Sequence, residues 1–242
     1  MLNRRQLRIK ALEVVYAYDK SSEKDLELQI KYFLKSNQNF YKLYITCFSL
    51  FRELLVLSKN LHLKNKKKYL NNEDDVQLDR FCENLILNQI FESEYLNQKI
   101  NDFKIDYWSN HSELISSIWK DIIESEISLK YLRNPSNSFE IDQSFLVNIY
   151  RKSIAPNKKL YEFFEDNEIS WINDLPLVNS LVLSSIKNMK KTSKKFPFMK
   201  DIYKNKEDAN FGVQLIRKVI ENKSFLEDEI SKVTLNWDND RI

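Results

Sequence analysis

Gly212 is the only glycine in 242 residues. Tight hairpins, phosphate-cradling loops and nucleophile elbows all use glycine, either for positive φ or for close backbone approach. A chain with one glycine therefore has no material for a P-loop, a dinucleotide-binding fingerprint or a hydrolase elbow. It also has little for a fold made of many hairpins. The pattern of apolar residues points the same way, because its period is helical almost throughout. These two features predict an all-α protein built of helical bundles.

The apolar residues mark out the helices. The first eighteen residues form one amphipathic helix with two apolar rows: Leu7, Ala11, Val14 and Tyr18 in one, Ile9, Leu12 and Tyr16 in the other, and Val15 between them. Ser21 and Ser22 mark a turn, a helix from about Lys24 leads to Leu34, and a longer one runs from about Asn37 to Lys67. Lys64, Lys66, Lys67 and Lys68 gather near the end of that helix, where its dipole favours cations. A polar break at 71–75 precedes a helix from about Val76 to Phe91, and another spans Glu113 to Leu132. Pro135 stops it, and Ser138 caps the next. Asp174 is expected to cap a helix that carries Pro176 in its first turn and reaches Met189. After a lysine-rich linker at 190–197, two more helices cover Glu207 to Glu221 and Ser224 to Val233.

Charge and chemistry narrow the function. Lysine and arginine number 38 against 35 acids, a net charge of +3, so nucleic-acid contact must come from a local cluster. The strongest cluster is Arg4, Arg5 and Arg8 at the start of the first helix. These arginines extend the core-facing side of the helix beyond its apolar part, which would set them on the rim of a bundle. Cations at a helix N-terminus oppose the dipole, so helix stability does not account for them. Guanidinium forks suit phosphate, because each can donate two parallel hydrogen bonds. The lysines of 187–200 lack interleaved arginines or aromatics and read as a solvated loop. Trp119 and Trp171 read as core, and core packing is the expectation for Tyr16 as well.

No catalytic constellation, cofactor motif or metal-ligand spacing appears. His62 and His111 have no carboxylate or cysteine at useful spacing, and 73–75 lacks the glycine and regular ligands of a calcium loop. Cys47 and Cys82 read as reduced thiols. With no apolar signal region and no run of about 20 apolar residues, the expectation is a cytoplasmic binding protein rather than an enzyme.

Three segments resemble one family in order along the chain. NRRQLRIKALEVVYAY (3–18) resembles the opening helix of NusB, the bacterial transcription antitermination factor. SFEIDQSFLVNIYRKSIAPNKKLYEFFEDNEISWINDLPLVNSLVL (138–183) and NWDNDRI (236–242) resemble parts of a longer, insertion-containing version of it. The resemblance implies that Arg4, Arg5 and Arg8 contact boxA-type single-stranded RNA. It further implies NusE, a small-subunit ribosomal protein, as partner, and action on RNA polymerase during ribosomal RNA synthesis. It divides the chain into N-terminal helices at 1–70, a helical insertion at 71–196 and the start of a C-terminal helical region at 197–242. In the family, more helices follow the segment resembling NWDNDRI. The expectation is therefore that this chain lacks them. One apolar row of the first helix, and the face bearing Phe225, Leu226 and Ile230, should then be uncovered and favour self-association. The alternative is a truncated helical protein-interaction module with no RNA binding of its own.

Overall fold

The computed structural model describes residues 1–67, 78–134, 136–191, 198–203 and 205–234. Twelve α-helices and one π-helical turn lie among them, with no strand beyond a single parallel bridge between Leu2 and Tyr203. The fold is all-α. Contacts divide the chain into two units, one of Met1–Gln38 with Asp201–Ile242, the other of Asn39–Lys200. Residues 1–70 are thus shared between the two.

The first unit contains α1 (Arg4–Lys20), the beginning of α2 (Leu26–Lys67), α11 (Lys206–Glu221) and α12 (Lys223–Val233). Helix α1 runs parallel to α11. Arg4 pairs with Asp208 near their starts and Asp19 with Lys223 near their ends, both at a sequence separation of 204. Helix α11 runs antiparallel to α2: Glu27 pairs with Arg217 at 2.6 Å, Phe33 faces Gly212, and the Asn37 amide donates to the Tyr203 hydroxyl at 3.3 Å. Leu7, Ala11 and Val14 of α1, Ile30 and Phe33 of α2, and Ile216 of α11 form the core. Gly212 serves this packing. A Cβ there would overlap the Phe33 ring at Cζ and Cε1, so the glycine lets α2 and α11 approach closely.

One of the two apolar rows on α1 is buried and the other is not. Leu7, Ala11 and Val14 lie in the core, whereas Ile9, Leu12 and Tyr16 are exposed. Tyr16 is therefore not the core residue its spacing suggests. Helix α12 buries none of its residues.

The second unit surrounds the remainder of α2 with α3 (Leu78–Cys82), α4 (Leu85–Phe91), α5 (Glu94–Asp102), α6 (Ser112–Ile123), α7 (Glu126–Leu132), α8 (Phe139–Ile149), a π-turn (Tyr150–Ile154), α9 (Lys158–Asn167) and α10 (Ser170–Lys187). From Phe40 to Leu55, α2 is apolar on nearly every side and buried. Two of its polar positions bond to other helices or loops: the Trp108 indole donates to Ser49 Oγ at 2.7 Å, and the Tyr44 and Ser185 hydroxyls lie 2.6 Å apart.

Several helix boundaries differ from the periodicity. The two helices expected at about 24–34 and 37–67 are one, because Ser36 and Asn37 find partners in Lys10 (2.9 Å) and Tyr203 instead of competing for their own backbone. The opposite happens at Asn84 and Ser125. Each side chain caps a new helix, which splits the helices expected at 76–91 and 113–132. Asp174 is no cap. It is buried inside α10, which starts earlier at Ser170 because Trp171 is fully buried and donates its indole N–H to the Asn39 carbonyl at 2.9 Å. Expectations for the break at 71–75, for Lys68, Pro135, Lys194 and Lys195, for the side chains of Lys66 and Lys67, and for the segment 236–242 fall outside the described residues.

One buried polar cluster ties the second unit together. Asp142 Oδ1 accepts from Arg80 at 2.7 Å and from the Tyr131 hydroxyl at 2.9 Å, while its Oδ2 accepts from the Leu85 amide at 2.7 Å. The Arg80 guanidinium also lies over the Tyr131 ring, 4.6 Å from its centre. A buried ion pair is tolerable only when its remaining atoms are satisfied. Here both carboxylate oxygens are satisfied, and Arg80 also donates to Asn137 Oδ1 at 2.6 Å and to the Ser136 carbonyl at 3.2 Å, whereas its buried Nε has no partner.

Candidate nucleic-acid interface

The arginines at the start of α1 rest on a well-made helix terminus. Asn3 accepts hydrogen bonds from the amides of Arg5 (2.9 Å) and Gln6 (3.2 Å), and the Gln6 side chain accepts from the Asn3 amide at 3.3 Å. This capping box occupies helix-end donors that could otherwise hold an anion. Upstream, the chain is anchored to the strap leading into α11. The terminal ammonium donates to the Asp201 carbonyl at 2.7 Å and the Leu2 amide to the Ile202 carbonyl at 2.8 Å.

Arg4, Arg5 and Arg8 are all exposed, but their surroundings differ. Arg4 donates from Nε to Asp208 Oδ1 at 3.3 Å, and that carboxylate is almost completely buried. Its guanidinium carbon also lies 5.1 Å from the centre of the half-buried Phe211 ring. Arg8 lies 5.6 Å from the same ring. One aromatic side chain therefore sits beside two guanidiniums from successive turns of α1, an arrangement stabilised by the ring quadrupole. Arg5 has neither an acidic nor an aromatic partner among the described residues. Its row continues along the helix as Ile9, Leu12 and Tyr16.

The three charges are consequently not equivalent. Asp208 pairs with Arg4, whereas neither Arg5 nor Arg8 meets a carboxylate among the described residues. Neither Asp208 nor Phe211 is legible as part of the site from local sequence, because both come from α11, some two hundred residues away. The only hint is that α11 begins with Glu207 and Asp208, acids that any helix start favours.

The other candidates separate from this group. Lys187, Lys190 and Lys191 belong to the second unit, exposed at and beyond the end of α10. The segment around them is held through its backbone: Gln143 donates to the carbonyls of Ile186 (2.8 Å) and Met189 (3.0 Å). His62 has a carboxylate partner after all, Asp79 at 2.7 Å, brought close by the packing of α3 on α2. His111 Nδ1 lies 2.6 Å from the Tyr107 carbonyl, and its ring packs edge-on against Phe163. Cys47 is buried and Cys82 partly so, both as free thiols. Among the described residues no three His, Cys, Asp or Glu side chains gather as metal ligands would. No described helix is long and apolar enough to cross a membrane.

The chain matches no family model, no curated protein and no solved structure.

Proposed function

We propose that this chain is a NusB-like RNA-binding protein of the bacterial cytoplasm. It takes a boxA-type single strand at the start of α1 and acts with NusE in an antitermination complex on RNA polymerase. The mode is recognition without chemistry. One observation carries the reading: three exposed guanidiniums lie within two turns of a helix whose end amides are already capped, so the side chains are the donors on offer. Guanidiniums on phosphates fix the register of a strand, and its bases are then read along their exposed edges and faces. Phe211 keeps the Arg4 and Arg8 forks near one another, which reduces the ordering cost of gripping two phosphates.

The test is fluorescence anisotropy with a boxA-type RNA and a scrambled control, titrated over a series of salt concentrations. Binding that weakens linearly in log salt, with a preference for the boxA strand, supports the reading. Absence of binding at low salt overturns it.

A second reading, a helical interaction module without RNA binding, is favoured by a different observation. Asp208 holds Arg4, and the row beyond Arg5 is apolar and exposed. The same titration separates the two readings.

A further inference from the structure

The π-turn of the second unit leads into a basic surface with no role in the fold described above. Between Asp142 and Glu162 the chain carries Arg151, Lys152, Lys158 and Lys159 and no acid. All four are exposed, and none pairs with a carboxylate among the described residues. Arg151 and Lys152 belong to the π-turn, whose first and last residues, Tyr150 and Ile154, are buried. Lys158 and Lys159 occupy the first turn of α9, which holds no acid. Cations there oppose the helix dipole, so helix stability does not account for them. Helix α6 fixes the start of α9: the Asn157 amide donates to Asp121 Oδ2 at 3.0 Å, and Lys159 Nζ to Ser117 Oγ at 2.8 Å. Beside these cations lies a groove of about 440 Å³, lined by Ala155, Pro156, Lys158, Tyr161, Glu162 and Glu165. Tyr161 is 41% exposed, one helical turn from Lys158. The order along the chain is cations, then ring, then acids, and Lys158 to Glu165 spans about 10 Å of helix.

We propose that this groove holds a nucleotide of a single-stranded nucleic acid, as a binding surface of the second unit in its own right. Arg151, Lys152 and Lys158 take the backbone phosphates, and Tyr161 is the platform on which a base stacks. Cations that track a backbone beside an exposed ring are the usual means of holding a single strand. Glu162 and Glu165 repel phosphate, which keeps the backbone at the start of α9. They also accept hydrogen bonds from a base amino group, such as N4 of cytosine. An acidic peptide would suit the cations alone; the ring and the two acids beside them favour a base. A π-turn is rare and frequently marks a functional site, which agrees with its place next to the groove.

Fluorescence anisotropy with a labelled oligocytidylate, over a series of salt concentrations, tests this. The titration is run in the wild-type chain and in one carrying Arg4→Ala, Arg5→Ala and Arg8→Ala, so failure of the α1 reading would leave the outcome legible. In both chains, Arg151→Gln, Lys152→Gln and Lys158→Gln together should lower the slope of log affinity against log salt by about 2, at about 0.7 for each phosphate contact. Tyr161→Ala should weaken binding about 5-fold or more, whereas Tyr161→Phe should retain it, because stacking needs only the ring. The substituted side chains are exposed, so helical content measured by circular dichroism should be unchanged. An unchanged slope in the variant lacking the three cations overturns the proposal. So does a cation effect without any effect of Tyr161→Ala, which would make the surface a general patch for polyanions such as acidic peptides.

Discussion

Arg4 of α1 and Asp208 of α11 are joined by a 3.3 Å hydrogen-bonded ion pair at a sequence separation of 204, and Asp19 and Lys223 pair at the same separation. The repeated offset defines a parallel helix pair held at both ends. Parallel packing aligns the two dipoles, which is mildly unfavourable. The ends compensate: Asp208 lies in the first turn of α11, where a negative charge is favoured, and Lys20 in the last turn of α1, where a positive one is. The contact that fixes the register is also the one that occupies Arg4. The candidate interface and the fold of the first unit therefore meet at one side chain.

That overlap ranks the arginines. Arg5→Ala and Arg8→Ala should each lower the slope of log affinity against log salt by about 0.7, the single-strand value for one lost phosphate contact. Arg4→Ala should change it less. Asp208→Asn should tighten RNA binding, because it releases Arg4 from its carboxylate. Anisotropy titrations of the four variants measure this, and equal slopes in all four would remove the arginines from the phosphate site.

Gly212→Ala should destabilise the first unit, although alanine is the better helix former by about 1 kcal/mol. The added methyl group meets the buried Phe33 ring, and overpacking of this kind costs about 1–3 kcal/mol. Phe33→Leu in the same chain should recover part of the loss. Urea unfolding of the two singles and the double gives the coupling, and strict additivity would mean that the ring is not what glycine accommodates.

Asp142→Ala should cost roughly 3–5 kcal/mol, because it leaves Arg80 buried without its partner and orphans the Tyr131 hydroxyl and the Leu85 amide. Tyr131→Phe removes the hydroxyl that donates to Asp142 and accepts from the Asn84 amide, but leaves the Arg80–Asp142 ion pair in place, and should cost less, about 1–3 kcal/mol. If denaturant midpoints show the two variants equally stable, the cluster is not centred on the carboxylate.

The second unit should weaken in alkali. Burial pushes the Cys47 thiol up to about 12, and the phenols of Tyr44 and Tyr150, buried close by, are raised as well. An ordinary thiol in the unfolded chain loses its proton near 9.0, so above that pH the unfolded state binds fewer protons and gains relative to the folded one. Stability should fall by up to ~1.4 kcal/mol per pH unit for Cys47 between about 9 and 12. Cys47→Ala should flatten that fall while costing some packing at neutral pH. Stability curves for both chains across this window test it, and parallel curves would count against titration of the thiol.

The helical class follows from local physics alone. With one glycine and a period near 3.6, the chain has few alternatives to helices, and the apolar rows of α1 are visible as rows because that geometry is fixed by the backbone. Most helices lie where their pattern places them for the same reason. The exceptions occur where a short polar side chain could serve either its own backbone or a distant group. Asn84 and Ser125 cap and split helices, whereas Ser36 and Asn37 bond to Lys10 and Tyr203 and let α2 run on. Sequence cannot choose between these outcomes, because the competing partner lies far along the chain.

The candidate site divides along the same line. Arg4, Arg5 and Arg8 are legible as a cluster because they share two turns of one helix. Their inequality is not, since Asp208 and Phe211 reach them only when α11 packs alongside α1. Which apolar row of α1 turns inward is likewise a tertiary decision: Leu7, Ala11 and Val14 meet the core, and Ile9, Leu12 and Tyr16 do not. A row's periodicity states that it can be buried. Only the presence of a neighbouring surface decides whether it is.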